Sequence, residues 1–566
     1  MVPWPGRFVV IAALCLVSAC GRQSGQSSGP WDSFVSGFLE TYFEANPLFA
    51  VYQGRHEYDG QFPDWSEAGL KRWMSRLHQL RDSAATFPID TADQSQRLER
   101  DYVVAVIDRD LFWGERADWP RRNPEYYTGS IDPNVYIARE YAPLPQRMRA
   151  YTRYAANLPA ALSHVRTNLR TPMPKSYADI GRGRIGGLAS YLKSDVPQVF
   201  DSVNDPSLRR EFEAANAGAI KALEALSAWF GEQAERGTDN YALGPELFAA
   251  MLRMTEGVET PLDELERRGQ EDMDRNLTAL KEACSRFAPG ESIRRCVTRM
   301  NAHKPAGSPV EAARQQLDTL EAFVRDNDIV SIPGRERALV EESPPYQRFN
   351  FAYIDIPGPY EKGLPSIYYI SPPDPSWPAQ EQQDYVPGVA DLLFTSVHEV
   401  WPGHFLNFLH SNRSSSMFGR VFVGYAYAEG WAHYTEEMMW EAGLGRRDPE
   451  IHIGQLANAL LRNARYLSAI GLHTKGMTIA ESERLFREQA YQDAANARQQ
   501  AARGTYDPAY LNYTLGKLMI MKLREDWTRE RGGREAWYDF HNRFLSFGGP
   551  PIPLVRRAMI GDGPAL

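Results

Sequence analysis

From Trp31 onward, apolar residues recur at helical spacing over most of the chain. "WDSFVSGFLETYFEANP" sets them three and four apart and stops at Pro47. Long amphipathic patterns follow in "EAGLKRWMSRLHQLRDSAATF", "DPSLRREFEAANAGAIKALEALSAWFGEQAERG", "TPLDELERRGQEDMDRNLTALKEACSRF" and "SPVEAARQQLDTLEAFVRDND". Each predicts a helix with one face turned to a core. No internal repeat of roughly 20–50 residues and no Gly-rich phosphate loop interrupts them.

The texture changes near residue 330. "IVSIP", "FNFAYIDIP" and "SIYYISPP" are short β-branched or aromatic runs divided by Pro and Gly, and they predict strands. Helical patterns resume at about Pro387 and continue to the C-terminus. No long polar linker separates the halves, so the pattern predicts two helical lobes packed on each other, with a cleft between them. The expected fold is mainly α, with a small antiparallel β-sheet beside the helix that carries the chemistry.

The 566 residues are too many for one small core. Hydrophobic residues at 43% and charged residues at 24% describe a globular chain, not a disordered one. A net charge of −9 and the lack of a long Lys/Arg run leave no footprint for nucleic acid.

The first 20 residues read differently. "MVPWPGRFVVIAALCLVSAC" has Arg7, an apolar run from Phe8 to Val17, and small residues before Cys20. This predicts a secretory signal whose apolar run is too short to span a bilayer comfortably. "LVSAC" resembles the lipobox of bacterial lipoproteins, which implies cleavage before Cys20 and a lipid anchor on its thiol. Gly21 in place of Asp, by resemblance to sorted lipoproteins, implies the outer membrane, with the protein facing the periplasm. "GRQSGQSSGP" would be the tether. The expected organisation is a signal peptide over 1–19, a tether over 20–30, an N-terminal lobe over 31–330 and a catalytic lobe over 331–566. Cys284 and Cys296 form an isolated pair, and in an exported protein they predict a structural disulfide, not a metal site. In the cytosol they would be two inert thiols.

Candidate chemistry centres on "HEVWPGH", residues 398–404. It begins like the zinc-peptidase motif His-Glu-x-x-His, but Pro402 occupies the place of the second His. Six residues of regular helix rotate about 600°, which leaves His404 about 120° from the face of His398. Pro402 removes that objection, because it has no N–H and clashes with the preceding turn. Gly403 allows backbone angles that other residues avoid. A two-residue bulge, restarting the helix at His404, would return the two imidazoles to one side. A catalytic zinc ion needs a third ligand and an open position. Glu429, in "YAYAEGWAHYTEEMMWEAG", is the candidate, with His433 and Glu436 one and two turns later near the same face. These two could support the ligands or the substrate.

"HEVWPGHF", "EGWAHYTEE", "YTLGKL" and the early "ANPLFAVYQGRHEYDGQFPD" resemble the bacterial family catalogued as domain of unknown function 885, over roughly residues 31–560. That family is placed among the zincin metallopeptidases, near angiotensin-converting enzyme and thimet oligopeptidase. The resemblance implies a two-lobed helical body with a deep channel, and Zn2+ on His398, His404 and Glu429. Glu429 follows His404 by about the interval at which glutamate-zincins take their third ligand. The family often carries His and Gln where this chain has Phe405 and Asn407, so the resemblance carries no supporting role to those two positions.

In this reading Glu399 is the general base for the attacking water and returns the proton to the leaving amine. Tyr513, by similarity to the helical peptidases, would steady the oxyanion; otherwise it is one more core aromatic. His473 would bind substrate or cap a helix. His410 and His452 read as structural or surface residues. The strand Ser366–Ile370 would be an edge strand that pairs with substrate, or a buried strand with no such partner. The function expected is zinc-dependent hydrolysis of short peptides in a closed channel. Rivals are a zinc amidase acting on a non-peptide amide and a tethered binding lipoprotein with a structural metal. Glu399 favours catalysis, because a structural site has no need of a carboxylate beside its ligand.

Overall fold

The computed structural model describes residues 29–90, 93–344, 347–348 and 351–566. Cys20, the leader and most of the tether lie outside them. The amphipathic patterns form the helices Pro30–Ala45, Glu67–Ala85, Pro206–Glu235, Leu262–Phe287 and Pro309–Asp326. Their starts follow from capping: Ser66, Asp205 and Ser308 accept backbone N–H bonds at the first turn. No helix among the described residues is long and apolar enough to cross a membrane.

Three large aromatic-rich cores, and a small fourth around Tyr177, Tyr241 and Leu472, hold the described helices together. The long helices Leu144–Asn168, Lys175–Ser194 and Pro206–Glu235 pack on one another around Tyr151, Tyr154 and Phe212. The first helices close over Phe38, Tyr42 and Val103, and Phe418 and Phe422 from the second half enter that same core. The largest core joins Leu262–Phe287 to Pro449–Thr474, and Tyr425–Ala442 to Asn512–Thr528. Packing therefore does not divide at residue 330, since the helices between Pro245 and Asp326 bury into the core of the second half. Cys284 and Cys296 are bonded, clamping Leu262–Phe287 to Ile293–Ala302.

The sheet differs from expectation in two ways. Its strands are β1 (Ala338–Glu342), β2 (Ala352–Asp355) and β3 (Ser366–Ile370), in the order β1-β3-β2. β3 runs antiparallel to β2 but parallel to β1, so the sheet is mixed, not antiparallel. β3 also has partners on both sides, so it is a central strand with no free backbone to offer a substrate. "IVSIP" forms no strand; Ile329 and Val330 are buried where the chain leaves the Pro309–Asp326 helix. The sheet packs beside the helix Val389–Glu399, as expected.

Beneath the second half lies a buried ionic knot. Lys517 is fully buried, 2.6 Å from Asp272 and 3.2 Å from Glu437, and Arg275 bonds to both carboxylates. Burial alone would raise Asp272, but Lys517 and Arg275 outweigh it and hold the carboxyl below its ordinary value. The knot ties three helices together. Lys517→Met leaves two buried carboxylates with half their compensation and should destabilise the protein by about 3–5 kcal/mol. Urea unfolding measures this.

Candidate metal centre

The helix Val389–Glu399 stops one residue after His398, and a new helix, His404–Ser411, starts at His404 itself. The interruption is a four-residue break over 400–403, wider than a two-residue bulge. The Val400 and Trp401 N–H groups both turn back to the Ser396 carbonyl, and the Gly403 N–H donates to the Val397 carbonyl at 3.0 Å. The Trp401–Pro402 peptide is cis. Gly403 has negative φ, so left-handed backbone is not its role. Its role is room: a Cβ there would overlap the His398 carbonyl and lie 2.5 Å from the Val397 oxygen. The Trp431 indole N–H donates to the Pro402 carbonyl at 2.8 Å, pinning the break to the helix that carries Glu429.

The break turns the two imidazoles toward each other. Their ring centres are 4.8 Å apart and the rings are nearly perpendicular. Glu429 Oε2 stands 3.3 Å from His398 Nε2 and 3.3 Å from His404 Nε2. One donor atom from each of the three residues lies within 4.8 Å of the others. Both imidazole Nε2 atoms face Glu429 Oε2, and among the described residues this buried oxygen accepts no well-formed hydrogen bond. Two donors held at about 2.05 Å by one tetrahedral ion stand about 3.3 Å apart. The two His–Glu edges have that length. Two His and one Glu are also a donor set that leaves a position open. The residues therefore fit a zinc ion.

The face of the Tyr425–Ala442 helix that carries Glu429 also carries the ligand support. Glu436 Oε1 bonds His398 Nδ1 at 2.7 Å, fixing the ring so that Nε2 points at the cluster. Glu436 also takes the Arg462 guanidinium at 3.1 Å and His433 Nδ1 at 3.3 Å. Burial alone would raise Glu436, but Arg462, His433 and His398 outweigh it and hold the carboxyl well below its ordinary range. Burial pushes His433 down to about 4, so it is neutral. His398 is disfavoured as a cation by burial and by Arg462, but Glu429 and Glu436 raise it to about 9. Glu436→Gln should weaken metal binding by about 10–100-fold, read by competition with a chelating dye. Because Glu436 is depressed in the fold, its stabilisation is present above the unfolded carboxyl value of about 4.3 and lost as pH falls below it. The variant should therefore lose stability at pH 7 and less at pH 3.

The match to proteins of known sequence is to a family described as "Bacterial protein of unknown function (DUF885)", over residues 47–559. The chain belongs to this family. Two solved structures share the fold. A candidate lipoprotein of unknown function from Shewanella oneidensis is 22% identical, with a TM-score of 0.77, over 94% of this chain and 100% of that one. A candidate lipoprotein from Colwellia psychrerythraea is 16% identical, with a TM-score of 0.80, over 94% of this chain and 98% of that one. No curated protein matches.

In this family member, Glu399 ends the first helix and is half-buried. Burial raises its carboxyl above the ordinary value, and His404 and His398 pull it back only in part. The Tyr513 ring lies nearly parallel to that of His398, 6.1 Å away. Tyr513 reaches this place because its helix crosses the Glu429 helix at two glycines: a Cβ on Gly430 would lie 2.6 Å from the Gly516 carbonyl carbon. Its hydroxyl has no hydrogen-bond partner among the described residues, and burial raises it above its ordinary value. A cavity of about 280 Å³, lined in part by Tyr425 and Asp507, adjoins the Tyr425–Tyr513 ring pair.

His473 is not brought to the cluster. It is 1% exposed, its Nε2 bonds the Gly504 carbonyl at 2.7 Å, and its Nδ1 faces the Leu243 N–H at 3.3 Å. His410 bonds the Ser331 carbonyl, and His452 stacks on Trp440. Phe405 packs edge-on to Trp401, and Asn407 faces Ser411 in the core. Sequence reading missed Arg462, Arg465 and Arg503. The available signal was "LLRNARYL", two arginines inside an otherwise apolar helix.

Proposed function

We propose that the protein is a zinc-dependent peptidase, acting on short peptides and tethered in the cell envelope through Cys20. The observation that carries this is the convergence of His398, His404 and Glu429 on one point, with the raised carboxyl of Glu399 next to it. When bound, zinc supplies Lewis-acid polarisation of a carbonyl and an activated water near neutral pH. His398, His404 and Glu429 would hold it, and Glu436 orients His398. Glu399 takes the proton of the attacking water and passes it to the departing amine. The Tyr513 hydroxyl, without a hydrogen-bond partner among the described residues, donates to the oxyanion that develops on the carbonyl. The helical fold of the zincin peptidases that the motif resembles is compatible with the mainly α body seen here.

Metal analysis of purified protein, together with digestion of a peptide library, tests the reading. One zinc per chain and chelator-sensitive cleavage are expected; a chain that takes up no metal at the site refutes it. The envelope location rests on "LVSAC" and on the lipoprotein descriptions of the two structural relatives. Metabolic labelling with a palmitate analogue should mark the wild type and leave Cys20→Ala unlabelled. A labelled Cys20→Ala protein overturns the anchor.

A further inference from the structure

The helices that place the metal ligands also place three guanidinium groups around one tyrosine. Arg465 Cζ stands 4.8 Å from the Tyr513 ring centre, Arg462 Cζ 5.8 Å and Arg503 Cζ 5.9 Å. The same ring faces His398. Two of these arginines have a carboxylate of their own. Arg462 is paired with Glu436, and Arg503 with Asp507 at 2.9 Å.

Arg465 has none. Its Nε donates to the Gln500 amide oxygen at 2.8 Å, and among the described residues no carboxylate lies within ion-pair distance. Yet it is only 8% exposed. Among the described residues its two terminal nitrogens meet no acceptor, and the side chain keeps a small exposed fraction. A guanidinium stays protonated at every accessible pH. Buried without a counter-ion it is costly, and the Tyr513 ring compensates only in part. Burial and the neighbouring charges of Arg503 and Arg462 lower its affinity for a proton further. The fold thus holds a positive fork for which the described residues supply no carboxylate partner.

A fork of two parallel N–H groups matches a carboxylate. One aromatic ring separates Arg465 from the metal-ligand His398. An extended chain advances at most about 3.6 Å per residue, so a carboxylate held here lies one or two residues from a carbonyl at the ligand cluster. We propose that Arg465, seated on Tyr513, binds the free C-terminal carboxylate of the peptide, making the protein an exopeptidase that trims one or two residues from the C-terminus. This rests on the peptidase reading above.

The test uses the metal-loaded full-length protein and matched short peptides, as free acid, as C-terminal amide, and as amide with a Glu side chain near the end. The free acid should be cleaved with a kcat/KM about 100-fold above the plain amide, with most of the difference in KM. Arg465→Gln should bring the free acid down to the level of the amide, and Arg465→Lys should recover part of it. Equal cleavage of acid and amide by the wild type overturns the inference and leaves the peptidase reading standing. Amidated Glu peptide matching the free acid overturns it too, because the carboxylate would then belong to a side chain. Calorimetry on metal-free protein gives a readout that needs no turnover. The free acid should bind at least about tenfold tighter than the amide, and Arg465→Gln should erase that gap. No gap in the wild type overturns the inference even if no peptide is cleaved.

Discussion

Glu399→Gln should keep one metal ion per chain and lose about 10²–10⁴-fold in hydrolysis. The side chain is replaced by one of the same shape that cannot accept a proton. Glu399 is the last residue of its helix and lies next to the ligand His398, yet it is not among the three donors that converge. Burial raises its carboxyl from the ordinary value, and the nearby imidazoles do not fully restore it. A carboxyl shifted upward is a better proton acceptor once ionised, which suits a general base working near neutral pH. His404→Ala provides the opposite signature, because it removes a donor and should empty the site. Metal analysis of both variants beside peptide cleavage separates the two roles. Full activity in Glu399→Gln would sink the mechanism, and loss of metal in that variant would make Glu399 a ligand.

What was legible in the sequence, and what was not, follows the range of the interactions. The helices were written locally: "DPSLRREFEAANAG" carries its own cap at Asp205 and its own apolar stripe, and the helix Pro206–Glu235 begins where the cap places it. The interruption at Pro402 was local too, because a missing N–H and a missing Cβ leave the helix few alternatives. Sheet order was not local. β3 lies between β1 and β2, so its parallel and antiparallel partners depend on how the chain returns to the sheet, which no periodicity records. β1 itself was overlooked because "ALVEE" buries one residue, Val340, and shows charges elsewhere. "IVSIP" misled because buried apolar residues leaving a helix read like a short strand.

The site was divided in the same way. His398, Glu399 and His404 share one stretch, and Glu429, His433 and Glu436 share one helix face. The arginine group around Tyr513 comes from two helices, Pro449–Thr474 and Ala494–Tyr506, and meets only when both pack on Asn512–Thr528. Spacing along the chain could not show that two of those arginines are neutralised and one is not. That distinction needed the positions of Glu436 and Asp507, and it is what separates a structural arginine from one that awaits a ligand.

Gly403→Ala should be among the most damaging single added methyl groups in the second half of the chain. The added Cβ would overlap the His398 carbonyl and crowd the Val397 oxygen. Both are backbone atoms, so no side chain can swing aside. The Gly403 N–H is already committed to Val397, and the Pro402 carbonyl is held by Trp431, so the break is tied at both ends. Relief requires the two helices to separate, and that moves His404 away from His398 and Glu429. Overpacking of this kind costs about 1–3 kcal/mol where side chains can yield, and more where they cannot. We expect about 3 kcal/mol or more of destabilisation, with metal affinity falling in the same variant. Deleting Pro402 and Gly403 writes an unbroken His-Glu-x-x-His into the chain, and it should still give an inactive protein. The shortened helix would have a zinc-binding spacing, but the Trp431 anchor and the register of His404 with Glu429 would be gone. Metal titration, thermal unfolding and peptide cleavage on the two variants together decide the matter. If the deletion variant binds zinc and cleaves peptides as well as the wild type, the four-residue break is dispensable and the geometry argued for this site is wrong.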